Sequence, residues 1–260
     1  MTNPTNEGSL GRKAGGVQSV ERTFELLEQI AEAGGEISLS ELAAQTPYPV
    51  STVHRLIRTL VDLGYARQLP NRGYALGPRL IRLGEVATRQ LGVVGRPHLR
   101  RLVDVLGETA NMAVLDSEMV VYVSQVPSPH SMRMFIEVGR RVTSHDTGVG
   151  KAILAQLTTS QVRSIVAQAG METPTSESHK TIKSLLVDLE KVRKRGYAID
   201  EQEQELGVRC VAVAVPNAPV PMAISVSGPV ARVTDEFIDR SVPELHTAAA
   251  LISAGLDVSA

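Results

Sequence analysis

The sequence predicts an α+β protein with an N-terminal winged helix-turn-helix, a linker helix, and a C-terminal domain of helices and antiparallel strands. Two short helices, a turn rich in proline and a β-hairpin are predicted from the spacing of residues 37–76. Beyond residue 97, short β-rich runs alternate with helical patterns, and we find no internal repeat. The length of 260 residues is enough for two domains with separate hydrophobic cores.

The chain is predicted to begin with a mobile tail at residues 1–16, which has no apolar periodicity. Residues 17–76 are predicted to form the winged domain. Its first helix is expected to start at the capping residue Ser19 and to end at the glycine pair 34–35.

The helix-turn-helix is predicted to start with a capping box formed by Ser38 and Glu41. The two prolines in the segment 46–49 prevent this short helix from continuing, because each removes a backbone donor and restricts the residue before it. Pro49 is expected to occupy the first position of the next helix, where its fixed φ angle is favourable.

This next helix has two faces of opposite character. One face carries an apolar stripe, whereas the other is small, polar and cationic, as expected of a helix that enters the DNA major groove. The hairpin that follows, with residues 69–72 at its tip, is the predicted wing. We expect contacts to base edges or adjacent phosphates from Ser51, Thr52, His54 and Arg55, and contacts to the DNA backbone from Arg58, Arg67 and Arg72.

The distribution of charge supports this interpretation better than the formal net charge of −1 does. Residues 51–101 contain ten arginines and only two acidic residues. A local excess of this kind favours phosphate as a partner. The alternative is a set of solvated helix faces with no nucleic-acid role.

Composition also limits the location of the protein. A single cysteine excludes an intramolecular disulfide framework and is typical of a reducing cytoplasm. No apolar run approaches the length of a membrane span, and the N-terminus lacks the apolar core of a signal peptide. We therefore expect a cytoplasmic protein with no membrane partner.

Residues 77–96 are predicted to form the linker helix, and residues 97–260 the second domain. The strands expected there are 111–115 and 119–125 as a hairpin, then 132–138, 197–200, 208–215 and 221–226. The helices expected there are 97–106, 159–169, 180–195 and 234–256, together with one that follows a loop within 143–157.

Three segments of the second domain have residues suited to ligand binding. Gly148–Lys151 lies at a predicted helix start, where free amides favour a carboxylate or phosphate, although a glycine turn needed only for geometry is the alternative. The acidic run that starts at Asp200 leads through Gly207 into a strand that contains Cys210. In the last predicted strand, Ser225 and Ser227 are two residues apart and therefore point the same way.

These segments resemble the IclR family of bacterial transcriptional regulators over nearly the whole chain. The matching pieces include STVHRLIRTLVDLGYARQ (51–68), HDTGVGKAILA (145–155), SVSGPVARVT (225–234) and, most specifically, GYAIDEQEQELGVRC (196–210). The resemblance implies a winged helix-turn-helix, a linker helix and a GAF-like domain that binds a small effector, in a dimer or tetramer. It implies effector binding by Gly148, Val149, Asp200, Cys210, Ser225 and Ser227.

We therefore expect a ligand-responsive transcriptional regulator, a repressor of a catabolic operon. Its expected partners are a pseudo-palindromic double-stranded DNA operator and a small organic or aromatic acid. One alternative is a constitutive regulator whose C-terminal domain only oligomerises. Another is a small-molecule enzyme with an attached helix-turn-helix.

Two chemical alternatives involve the same residues. Cys210 with His145 would be a nucleophile and base, but no third orienting group is evident. His145, Asp146, Asp200 and Cys210 would be metal ligands, but no tight ligand spacing supports them. We expect no catalytic residues, no metal site and no cofactor.

Overall fold

A computed structural model describes residues 16–91 and 94–257. The predicted tail therefore lies outside the described residues except for Gly16, as do residues 92–93 of the predicted linker. The chain divides into two compact units, and the boundary falls between Val86 and Ala87. No described helix has both the length and the apolar character needed to cross a membrane.

The N-terminal unit is a winged helix-turn-helix, as predicted. A three-stranded antiparallel sheet with the order β1-β3-β2 packs with the helices. Its elements are α1 (Gln18–Glu32), β1 (Glu36–Ile37), α2 (Leu39–Ala44), α3 (Val50–Asp62), β2 (Ala66–Gln68), β3 (Tyr74–Leu76) and the start of α4 (Arg79–Leu91).

The capping box of α2 is confirmed. The Ser38 hydroxyl accepts the Glu41 amide at 3.2 Å, and the Ser38 amide donates to the Glu41 carboxylate at 3.0 Å. Two other helix starts were misplaced by one or two residues, since Val17 and Pro49 are the N-cap residues of α1 and α3. Ser19 lies inside α1. Strand β1, which pairs with β3, was not predicted from the sequence.

The core of this unit confirms the predicted apolar stripe of α3. Val53, Ile57 and Leu60 are buried, and they form one cluster with Leu26 and Ile30 of α1. The amphipathic spacing of both helices fixes which side of α3 faces the core. The opposite side is left facing solvent.

The C-terminal unit contains a six-stranded antiparallel sheet with the order β6-β5-β4-β9-β8-β7. Its strands are β4 (Thr109–Asp116), β5 (Met119–Val126), β6 (Arg141–Val142), β7 (Ala198–Glu201), β8 (Val208–Ala214) and β9 (Met222–Pro229). Its helices are α5 (Arg96–Leu106), α6 (Gly148–Leu154), α7 (Thr159–Ala169), α8 (Ile182–Arg195) and α9 (Asp235–Asp257).

The alternation of side chains along the strands separates two cores. One face of the sheet carries larger apolar residues that pack with α5 and α9. The other face packs against α6 and carries buried alanines, namely Ala113, Ala212 and Ala223 on the inner strands and Ala198 on the edge strand β7. Small residues on this face allow α6 to approach the sheet closely.

The predicted strand at 132–138 is wrong, because this segment is irregular. Its apolar residues Met132, Phe135 and Val138 are exposed, and only Ile136 is buried. Hydrophobic content alone therefore gave a misleading signal. The edge strand is instead β6, which pairs with β5.

Candidate DNA-binding surface and effector site

The solvent-facing side of α3 carries the residues predicted to read DNA. Ser51, His54, Arg55 and Arg58 are exposed, and Thr52 is half-buried. They lie opposite the buried stripe of the same helix. The packing of the unit therefore presents this polar face as a continuous surface on α3.

The wing adds two further arginines. Arg67 is exposed on β2, and Arg72 is exposed at the hairpin tip, where its φ of 69° places it in the left-handed region. The tip is held by backbone hydrogen bonds from Arg72 to Leu69 and from Leu69 to Gly73, of 2.9 and 2.8 Å. No carboxylate in the described part of the chain forms a salt bridge with the predicted DNA-contacting arginines, which are Arg55, Arg58, Arg67 and Arg72.

The predicted effector residues converge on the α6-facing side of the large sheet. Asp200 of β7 lies opposite Cys210 of β8, and Cys210 lies opposite Ser227 of β9. Directly paired residues of antiparallel strands project to the same face, so these three side chains form a row. Ser225 lies two residues from Ser227 along β9 and shares that face.

Helix α6 brings the remaining two residues to this row. Its N-cap Thr147 accepts the Gly150 amide at 3.1 Å. A Cβ atom on Gly148 would lie only 2.9 Å from the Cys210 sulfur, so the helix start packs directly on the row. Val149 is buried and packs in the cluster that contains Ala212.

Two polar residues of this face were missed by the sequence analysis. Asn111 of β4 lies opposite Ser225, and its amide donates to the Ser227 hydroxyl at 3.1 Å. The Gln125 amide donates in turn to Asn111 Oδ1 at 2.9 Å. The only available signal was a polar residue at a core-facing position of a buried strand.

The electrostatics of the row favour neutral hydrogen-bonding groups. Burial, reinforced by the nearby Glu203 charge, raises the pKa of Asp200 to about 7. Burial and the Asp200 charge raise the pKa of the Cys210 thiol to about 12. Cys210 therefore remains a thiol at neutral pH, which argues against its use as a nucleophile.

His145 and Asp146 have hydrogen-bond partners of their own. His145 Nε2 donates to the Glu172 carbonyl at 2.7 Å, and Thr143 donates to Asp146 at 2.6 Å. Burial is the largest influence on the Asp146 carboxyl and raises its pKa.

Lys151 of α6 has a buried ammonium whose carboxylate partners were not predicted from the sequence. Lys151 is 1% exposed, and its Nζ donates to Asp188 of α8 at 2.9 Å and to Glu203 after β7. Burial alone would lower the pKa of Lys151, but the two carboxylates outweigh it and raise the pKa. The Glu203 amide donates to the Asp200 carboxylate at 2.7 Å, which links this ion pair to the row.

Comparison with known proteins identifies a family domain in each of the two units. The IclR helix-turn-helix domain matches residues 19–70, and the bacterial transcriptional regulator IclR C-terminal domain matches residues 85–254. The chain is 39% identical over 235 residues to the transcriptional repressor IclR of Escherichia coli, which covers 86% of this chain and 84% of that protein. It is 32% identical to the regulator KdgR of the same organism, and the match covers 94% of this chain and 95% of that protein.

A solved structure shows the same architecture. The IclR transcriptional regulator from Alicyclobacillus acidocaldarius has a TM-score of 0.82 at 26% identity, over 92% of this chain and 99% of that one. Both sequence and structure therefore agree across the two units. The chain belongs to the IclR family of bacterial transcriptional regulators.

Proposed function

We propose that this regulator represses a catabolic operon in the cytoplasm and that a small organic or aromatic acid controls it. It would bind a pseudo-palindromic operator as a homodimer or tetramer, with α3 in the major groove and the wing along the backbone. The effector would bind the row formed by Asp200, Cys210, Ser225 and Ser227 beside Gly148 and Val149. One observation carries the proposal. Among the described residues, the N-terminal unit has exposed arginines without carboxylate partners, and the C-terminal unit has a buried cluster of polar side chains.

The DNA-binding part rests on the exposed face of α3 and on the wing. Arginines without carboxylate partners are available to phosphates and to the acceptor edge of guanine. Two copies related by a two-fold axis would read half-sites roughly 34 Å apart. This spacing is the reason we expect a pseudo-palindrome.

Replacing Arg55 with alanine should weaken operator binding about 10- to 100-fold, the effect of losing about 1–3 kcal/mol of base or phosphate contact. Arg55 is exposed and lies opposite the core, so the fold should be unaffected. The measurement is a titration of duplexes selected from random sequence, at fixed salt. Arg163→Ala, which removes an exposed arginine from α7, is the matched control. Equal affinity of Arg55→Ala and the wild type would contradict the assignment.

The proposed homodimer has a suitable apolar surface on the N-terminal unit. A groove of about 500 Å³ runs between α1, α3 and α4, and its lining is mainly apolar. Three exposed apolar side chains line this groove: Phe24, which is 60% exposed, Leu63 and Leu83. Exposed apolar patches of this kind typically mark contacts with other proteins, and a second copy is the partner that a pseudo-palindrome requires.

Replacing Phe24 with glutamate should therefore weaken binding to the full pseudo-palindrome roughly 30-fold or more, since loss of an interface hot spot costs ~2 kcal/mol or more. Binding to a single half-site should change little. Ala31→Glu, at an exposed position of α1 outside the groove, controls for the added charge. Equal loss on single and paired half-sites would point to a defect in the fold rather than in pairing.

The effector class follows from the chemistry of the row. A carboxyl whose pKa of about 7 leaves a protonated fraction at neutral pH, a thiol, two hydroxyls and an amide are suited to the oxygens of a small acid. Asp200 is 4% exposed, and the other members are buried as well, so such a ligand would be enclosed.

The rival functions make different predictions. An enzyme that used Cys210 as its nucleophile would need a thiolate, and the raised pKa of Cys210 argues against one. We therefore propose that the chain is not an enzyme, and turnover of candidate metabolites would contradict this.

A constitutive regulator would show no saturable ligand. A ligand that binds only the folded state would add roughly 2.7 kcal/mol of stability at a hundredfold excess over its Kd, which thermal unfolding detects.

A further inference from the structure

A second polar cluster lies beside the effector row and is formed by His179, Asp188 and Glu203. One side-chain nitrogen or oxygen from each residue lies within 4.8 Å of the other two. The three residues come from the loop before α8, from α8 itself and from the loop after β7. None of them belongs to the effector residues described above.

Two atoms of this cluster are buried and have no hydrogen-bond partner among the described residues. They are Nε2 of His179 and Oε2 of Glu203. Glu203 is only 5% exposed, and its Oε2 lies 3.6 Å from His179 Nε2. His179 Nε2 is also 3.5 Å from Asp188 Oδ2. Both separations are longer than an N–H···O hydrogen bond of about 2.7–3.2 Å, so one proton on His179 does not satisfy both oxygens.

The same separations match the ligands of a small cation. Bonds of about 2.0–2.2 Å from Zn²⁺ to nitrogen and oxygen place tetrahedral ligand atoms roughly 3.4 Å apart. An imidazole with two carboxylates is a donor set that suits zinc and similar transition metals better than calcium or magnesium. The geometry and the donor chemistry therefore agree.

Lys151 is compatible with a cation at this position. Its ammonium donates to Oε1 of Glu203, so Oε2, which lies near His179, is not used by this hydrogen bond. On Asp188 it donates to Oδ2, and ligating carboxylates commonly accept such an outer hydrogen bond. Two carboxylates share one ammonium here, so a divalent cation would meet an excess of acidic groups.

We propose that His179, Asp188 and Glu203 bind one zinc-class divalent cation through Nε2, Oδ2 and Oε2. The fourth coordination position faces a cavity of about 480 Å³ that is lined by His179 and Asp188 and by two lysines, Lys183 and Lys191. Water or a small anion would fill this position, and the lysines favour an anion. The site departs from our sequence expectation of no metal, and it is distinct from the His145, Asp146, Asp200 and Cys210 set considered there.

The test uses the full chain after dialysis against a strong chelator, titrated with Co²⁺ and then with Zn²⁺. We expect one Co²⁺ per chain with the intense visible absorption of a four-coordinate site, and its displacement by Zn²⁺. His179→Ala and Asp188→Asn should each weaken binding by more than the roughly 10- to 100-fold that is typical of losing an outer-shell partner.

Two controls make the result specific. His130→Ala removes an exposed histidine elsewhere and should bind like the wild type. Asp146→Asn combined with Cys210→Ser removes two of the alternative metal ligands considered in the sequence analysis. This variant should also leave Co²⁺ binding unchanged. Thermal unfolding in chelator confirms that each variant folds. The proposal is overturned if the wild type binds no stoichiometric Co²⁺ or Zn²⁺, or if His179→Ala binds Co²⁺ as tightly as the wild type.

Discussion

Replacing Lys151 with methionine is expected to lower the free energy of unfolding of the C-terminal unit by about 3–5 kcal/mol, because removal of one partner leaves buried charge uncompensated. Methionine has a similar volume, so the loss would come from charge rather than from a cavity. Burial would raise the pKa of Asp188, but its contacts with His179 and Lys151 outweigh burial and hold that pKa well below its ordinary value. Without the ammonium, the buried Asp188 and Glu203 side chains would both lose the donor that Lys151 supplies.

Urea unfolding in the presence of chelator measures this effect without a metal ion replacing the ammonium. Lys183→Met, which also removes an ammonium from the C-terminal unit, is the control. A solvent-exposed substitution of this kind usually changes stability by less than about 0.5 kcal/mol. A loss below about 1 kcal/mol for Lys151→Met would show that the ion pair contributes little to the fold.

The double substitution of Asp200 and Ser227 by alanine is expected to abolish the effector response and to leave operator affinity without effector unchanged. The two residues lie at the same level of the row, on either side of Cys210. Removing both deletes a carboxyl and a hydroxyl from the proposed acid-binding surface. The DNA-binding residues are all in the other unit, so their surface should be intact.

The response is measured as the ratio of operator affinities with and without a saturating acid. Asp104→Ala with Ser160→Ala makes the same chemical changes at exposed positions of α5 and α7 and should respond normally. A normal response in the Asp200 and Ser227 variant would place the effector elsewhere. Loss of DNA binding without effector would instead indicate that the variant is misfolded.

Much of the fold was predictable because periodicity is a local property. The apolar stripe of α3, and the two β-rich runs around a turn that became β4 and β5, each identify an element without knowledge of its neighbours. The two-residue strand β1 is too short to show any alternation, and only pairing with β3 defines it. In the segment 132–138, apolar residues without a buried partner surface gave a false strand.

The site was predictable only in part, because proximity depends on register and packing. Gly148, Asp200 and Cys210 were identified through the family resemblance. The pairing of β7 with β8 explains why Asp200 and Cys210 meet, and the packing of α6 on the sheet brings Gly148 to them. Lys151 is separated from Asp188 by 37 residues and from Glu203 by 52, so no sequence spacing connects them.

Asn111 could be assigned to the site only once the strand order was known. A polar residue in a buried strand has no assigned partner until the strand order places β9 beside β4. Its hydrogen bonds to Ser227 and from Gln125 then make it part of the row. Residues of this kind are found by structure even where the fold class is evident from sequence.

The most direct test of the account is the affinity of the full chain for its selected operator, measured at zero and at saturating organic acid, with saturation established by calorimetry. Coupling between the two sites requires the acid to bind the DNA-competent and DNA-incompetent arrangements with different affinity. We predict a change in operator affinity of about 5- to 150-fold, which corresponds to typical coupling of 1–3 kcal/mol. Equal operator affinity with the acid site fully occupied would contradict ligand control.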